Sequence, residues 1–164
     1  MSASEYDAYA DNVLAKQMPA EVLNELRAME AKNDFANPRY MELLMPHFYA
    51  EHICRLPLDA WPEPLNRAFR KVNSALYTAM QGPSEFGLSG KLEGWDVRSE
   101  LKTLRIPTLV IGATHDTMDP EHMQWVSTQI PGAQFLLCKN GSHMCFYDDQ
   151  QTYFNGLMAF LKQL

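Results

Sequence analysis

Pro107-Thr108-Leu109-Val110-Ile111-Gly112-Ala113-Thr114-His115-Asp116-Thr117-Met118-Asp119-Pro120 is the stretch on which the fold turns. Its first six residues are short, apolar and β-branched, the pattern of a strand buried on both faces of a parallel sheet. The run gives way to a polar loop that ends in Asp119-Pro120. An aspartate followed by proline reads as a helix N-cap and a first helical residue that needs no N–H partner. The helix so opened runs through Trp125 and Val126 towards Ile130. A second apolar strand, Gln134-Phe135-Leu136-Leu137-Cys138, is broken by Asn140-Gly141. A last helix starts near Asp149 and sets Phe154, Leu157, Met158 and Leu161 on one face. Strand, helix, strand, helix is the unit of an α/β sheet.

Upstream the periodicity changes to helices only. Pro19 opens one helix, with Glu21 in its first turn and Val22, Leu26 and Met29 at helical spacing. Pro38 opens a second, with Met41, Leu44, Met45 and Phe48 on one face. Pro62 and Pro64 open a third, predicted to run unbroken with Leu65, Phe69, Val72, Leu76 and Met80 as its stripe. These stripes read as packing surface rather than a cofactor box. Between the two halves, GPSEFGLSGKLEGWD carries four glycines and reads as an irregular connection. The expected division is a helical region over 1–85, a connection over 86–106, and a βαβα part over 107–164.

Composition narrows the function classes. With 164 residues, 46% of them hydrophobic, the chain can bury a core and is not disordered. A net charge of −6 without a basic run argues against nucleic acid and against an anionic membrane surface as partners. Cys54, Cys138 and Cys145 are odd in number and irregularly spaced, so reduced, buried thiols are expected and no disulfide framework. The polar, acidic start MSASEYDAYADN does not read as a signal peptide, and no apolar run approaches membrane-spanning length. The expected location is the cytoplasm.

Two loops can carry chemistry, because catalytic groups in open α/β sheets collect at the carboxyl ends of strands. One holds Asp116; the other is Asn140-Gly141-Ser142-His143-Met144. An Asp after one strand and a His after the next can meet across the top of the sheet, the carboxylate orienting the imidazole for acyl transfer. Alone, Asp116 would pass for a turn residue and His143 for a solvated loop histidine. Asp119 reads as a cap. His115 and His122 with Asp116 and Asp119 lack any recognised ligand spacing, so no metal or other cofactor is expected. His47 and His52, five apart, read as ordinary helix residues.

A resemblance makes these readings specific. Gly82-Pro83-Ser84-Glu85-Phe86, then Gly90-Lys91-Leu92-Glu93-Gly94-Trp95-Asp96, then a strand ending in a Gly-x-x-Asp-x-x-x-Pro loop form a series. It continues through Ile130-Pro131-Gly132-Ala133 and Gly141-Ser142-His143-Met144, and upstream through HFYAEHICRLP and WPEPLNRAF. The series resembles the proline iminopeptidase family of α/β-hydrolases over essentially the whole chain. The resemblance implies an α/β fold: the C-terminal part of an α/β-hydrolase with a helical cap and an incomplete sheet. It implies Asp116 as triad acid, His143 as triad base, and Glu85 as the carboxylate that receives a substrate's free α-amine. The chain order Asp then His agrees with the order Ser, Asp, His of such hydrolases.

Two departures stand out. Family members commonly carry a second glutamate after the triad aspartate, where this chain has Thr117. No Gly-x-Ser-x-Gly nucleophile elbow occurs in the 164 residues. The resemblance therefore implies a serine hydrolase that releases an N-terminal residue from a small peptide or amino-acid amide, with this chain supplying Asp116, His143 and the cap but not the serine. Two alternatives stay open: a catalytically inactive, oligomerising fragment, and an amidase or esterase on the same scaffold. Two parallel strands are too few for a stable sheet. A homo-oligomer or a complementary N-terminal hydrolase segment is expected to cover their open edge.

Overall fold

The computed structural model describes residues 2–164. Its helical region contains α1 (Ala3–Tyr9), α2 (Ala20–Glu30), α3 (Pro38–Leu44), α4 (Glu63–Arg70) and α5 (Ser74–Met80). Two wider π-helical segments extend α1 and α3, at Ala10–Leu14 and Met45–Ile53. The sheet region follows as β1 (Leu109–Ala113), α6 (Pro120–Gln129), β2 (Gln134–Cys138), α7 (Cys145–Asp148) and α8 (Gln150–Leu161).

Local chemistry sets the boundaries. Asp119 caps α6 by accepting the Glu121 N–H at 2.9 Å, with Pro120 in the first turn. Asn37 caps α3 in the same way from the Arg39 N–H at 3.1 Å. α1 is capped by Ser2, whose hydroxyl accepts the Glu5 N–H at 3.4 Å, and the two residues stand at capping-box spacing. The unbroken helix expected from Pro62 to Met80 is instead two helices. Asn73 leaves the helical path and accepts the Leu76 N–H at 3.1 Å, capping α5. A short amide side chain competes with the helix for its own backbone donors, and here the cap wins over the apolar stripe. Val72 and Leu76 of that stripe are exposed as a result.

The helical region closes over a core of Leu26, Tyr40, Leu44, Phe48 and Ile53, each at most 1% exposed. In the sheet region β1 pairs with β2 in parallel, Leu109 opposite Gln134 and Ala113 opposite Cys138. α6 packs on both strands and α8 on β2. Gly156 permits that second contact, since a Cβ there would lie 2.4 Å from the Leu136 side chain. Among the described residues β1 has no strand on its other side. All three cysteines are free and buried. No helix among the described residues is long and apolar enough to cross a membrane.

Candidate active site

The loop after β1 delivers Asp116 and the loop after β2 delivers His143. The two loops are hydrogen-bonded to each other: Thr114 N–H donates to the Cys138 carbonyl at 3.1 Å and His115 N–H to the Gly141 carbonyl at 3.1 Å. Across this junction His143 Nδ1 lies 2.8 Å from Asp116 Oδ1. A carboxylate only accepts, so Nδ1 carries the proton and Nε2 is left as the basic nitrogen. Asp116 is buried, and its Oδ1 also accepts the Met118 N–H at 3.0 Å and the Thr117 hydroxyl at 3.3 Å. Three donors on one oxygen fix the carboxylate's orientation before any substrate arrives.

Burial disfavours protonation of His143. The hydrogen bond and charge of Asp116, with the more distant charge of Glu85, outweigh it and hold the imidazole above its ordinary range. The base loop is anchored from below. Asp148 Oδ1 accepts the Ser142 N–H at 3.1 Å, its other oxygen accepts the Arg55 N–H at 2.9 Å, and the Ser142 hydroxyl lies against the same carboxylate.

Glu85, from the glycine-rich connection, lies in the same cavity as His143. That cavity has a volume of about 280 Å³, and Tyr6, Trp95, Thr117 and Met118 also line it. The Glu85 carboxylate accepts the Tyr77 hydroxyl at 2.6 Å, and Tyr6 donates to the Glu85 carbonyl at 2.5 Å. Burial, then the charge of Glu85, raises the Tyr6 and Tyr77 phenols far above their ordinary range, so both remain neutral donors. Burial pushes Tyr49, whose oxygen accepts the Glu85 N–H at 3.2 Å, up to about 12. Trp95 is 43% exposed at the cavity wall.

Of the residues singled out from sequence, Asp116, His143 and Glu85 thus converge. His115, His122, Asp116 and Asp119 do not form a metal cluster, and no group of three or more potential ligands converges among the described residues. Tyr6, Tyr49 and Tyr77 were not anticipated, because tyrosines on helices carry no spacing signal for a site. Trp95 was within reach, since it sits in the Gly90–Asp96 motif. His52 was expected to be an ordinary helix residue. It is 3% exposed, at the end of the π-helical segment, and its ring contacts backbone of the Asp116 loop.

No protein-family model matches the chain. The chain is similar to a proline iminopeptidase of Chitinophaga pinensis, 52% identical over 163 residues, which are 99% of this chain and 54% of that protein. Among solved structures it superposes on a proline iminopeptidase of Mycobacterium smegmatis with a TM-score of 0.82 at 27% identity, covering 99% of this chain and 54% of that one. It superposes on the crystal structure of VinJ with a TM-score of 0.89 at 25% identity, covering 97% and 53%. The chain spans about half the length of the relatives it matches.

Proposed function

We propose a function for this chain from its family: it belongs to the proline iminopeptidase family of α/β-hydrolases, as a helical cap and C-terminal half with an incomplete sheet. In this reading the chain supplies the acid–base arm of a serine hydrolase, and a complementary N-terminal segment supplies the serine. His143 Nε2 takes the proton of the serine hydroxyl as it attacks the substrate carbonyl, then returns it to the leaving amine. Asp116 holds the tautomer through Nδ1 and stabilises the imidazolium that forms between the two transfers. Glu85 pairs with the α-ammonium of the residue to be released, a charge-assisted contact that selects substrates with a free N-terminus. With Thr117 in place of a second acid, Glu85 is the one carboxylate that lines the cavity among the described residues, which leaves a single negative charge to meet the substrate's amine.

The observation that carries this reading is the 2.8 Å His143–Asp116 bond beside a cavity that Glu85 shares. Its test is reconstitution. The chain is co-expressed with a segment of a relative that bears a Gly-x-Ser-x-Gly elbow, and hydrolysis of a prolyl arylamide is followed. The 164-residue chain alone should be silent and the pair active. Turnover by the purified chain alone, or silence of a pair that demonstrably associates and folds, counts against the reading.

A second reading, a catalytically silent fragment that associates with itself, is favoured by one feature. Ile106, Phe154, Met158 and Leu161 are between 46% and 68% exposed around the incomplete sheet. Sedimentation across a dilution series separates the two: self-association that blocks pairing with the elbow segment supports this one.

A further inference from the structure

His52 belongs to the helical region, yet it touches both loops of the catalytic pair. Its ring Nδ1 lies 3.0 Å from the carbonyl oxygen of His115, the residue before Asp116. A carbonyl accepts only, so Nδ1 is protonated and donates. Burial holds the ring below its ordinary pKa, and Phe48, 5.2 Å away between ring centroids, closes one side of it. The backbone carbonyl of the same residue accepts the His143 N–H at 2.9 Å, and the next carbonyl, Ile53, accepts the Met144 N–H at 2.8 Å. One residue thus binds the acid loop through its side chain and the base loop through its main chain.

We propose that His52 is a positioning residue: it sets the separation of Asp116 from His143 and makes the helical region part of the catalytic geometry rather than only a lid. This rests on the triad reading above. His52 touches no reacting atom. It acts by holding two loops whose relative placement decides the Asp116–His143 hydrogen bond, a bond that a displacement of 1 Å would break.

The test uses the full chain and needs no substrate. The hydrogen-bonded Nδ1 proton of His143 is followed by proton NMR and identified by its disappearance in His143→Gln. His143 is titrated in parallel through its Cε1–H signal. His52→Leu fills the space without the donor, whereas His52→Asn keeps a donor nitrogen where Nδ1 sits.

His52→Leu is expected to speed solvent exchange of the His143 proton by roughly tenfold, the size of one lost hydrogen bond, and to move the His143 titration down towards about 6.5. His52→Asn should restore both. A packing role predicts the reverse order, with Leu the milder change. The inference is overturned if folded His52→Leu leaves both readouts unchanged, or if Asn is worse than Leu. Should His52→Leu fail to fold, His52→Gln, which carries its donor beyond His115, is read by the same criteria. Asp116→Asn separates the two levels. If it also leaves the His143 readouts unchanged, the Asp116–His143 pair and the functional reading fall. If it abolishes them while His52→Leu does not, only the role of His52 falls.

Discussion

The helical region and the sheet region bury their apolar residues to very different extents. Phe48 and Leu44 in the former are 0% exposed, whereas α8 in the latter buries only Phe160 and leaves Phe154, Met158 and Leu161 nearly half exposed. The helices satisfy their backbone internally and need only one another to close a core. Each strand has used one edge, and its other edge has no strand partner among the described residues. The stability of this chain therefore resides mainly in the helical region, whereas the triad candidates Asp116 and His143 belong to the sheet region. The two are joined through the connection that carries Glu85 and through the backbone contacts of His52 and Ile53.

The largest expected effect lies in the sheet region and is chemical. In a reconstituted enzyme, Asp116→Asn should lower kcat by about four orders of magnitude, and His143→Ala by at least as much. Single-turnover kinetics on a prolyl arylamide measure both; near-normal turnover in either would dissolve the assignment of chemistry to the sheet. The pH profile sharpens it. The base works unprotonated, so activity should rise with pH through the raised pKa of His143, and removing Asp116 should shift that limb to lower pH. The sign for stability is opposite. The folded pKa lies above the unfolded one, so the protonated pair stabilises the fold fully below about pH 6.5, and this contribution is lost as pH rises through the folded value.

The next effect is on stability and should be confined to the helical region. Phe48→Ala removes a side chain with no solvent exposure and should cost about 3–5 kcal/mol. The matching truncation on α8, Phe154→Ala, should leave the isolated chain within about 0.5 kcal/mol of the parent while weakening association with a complementary segment. Denaturant titration compares them. Equal losses at both sites would mean that α8 already faces a partner and that the contrast between the regions is false.

The smallest expected effect crosses from one region to the other. Glu85→Gln should reduce turnover of substrates with a free N-terminal amine by roughly 10- to 100-fold, the range for a hydrogen bond to a charged group, and barely change N-acylated ones. Comparing kcat/KM on an amide and its N-acetyl derivative decides. Equal loss on both would reduce Glu85 to a support for Tyr77 and Tyr6.

Much of the fold was legible because the decisive signals were local. Asp119-Pro120 opened α6, Asn140-Gly141 closed the segment after β2, and the apolar runs at 107–112 and 134–138 supplied the paired strands Leu109–Ala113 and Gln134–Cys138. The Pro62–Met80 stripe misled because apolar spacing continued through Asn73, and periodicity weighs a side chain's hydrophobicity but not its competition for backbone donors. The π-helical segment at Met45–Ile53 was equally invisible. It changes the turn from 3.6 residues to a wider one, and with it which residues share a face.

By itself the sequence determined that two strands alternate with two helices behind a helical region, and that an aspartate and a histidine end up in loops at the carboxyl ends of those strands. Chain order and strand polarity suffice for that, since a parallel sheet must place both loops on one side. Only the tertiary structure decided that Asp116 and His143 stand 2.8 Å apart, that Tyr6 and Tyr77 attend Glu85, and that His52 reaches the backbone beside Asp116. These are contacts between residues 8 to 79 positions apart. A hydrogen bond is made or lost within a few tenths of an ångström, and nothing in a one-dimensional pattern specifies distance at that scale.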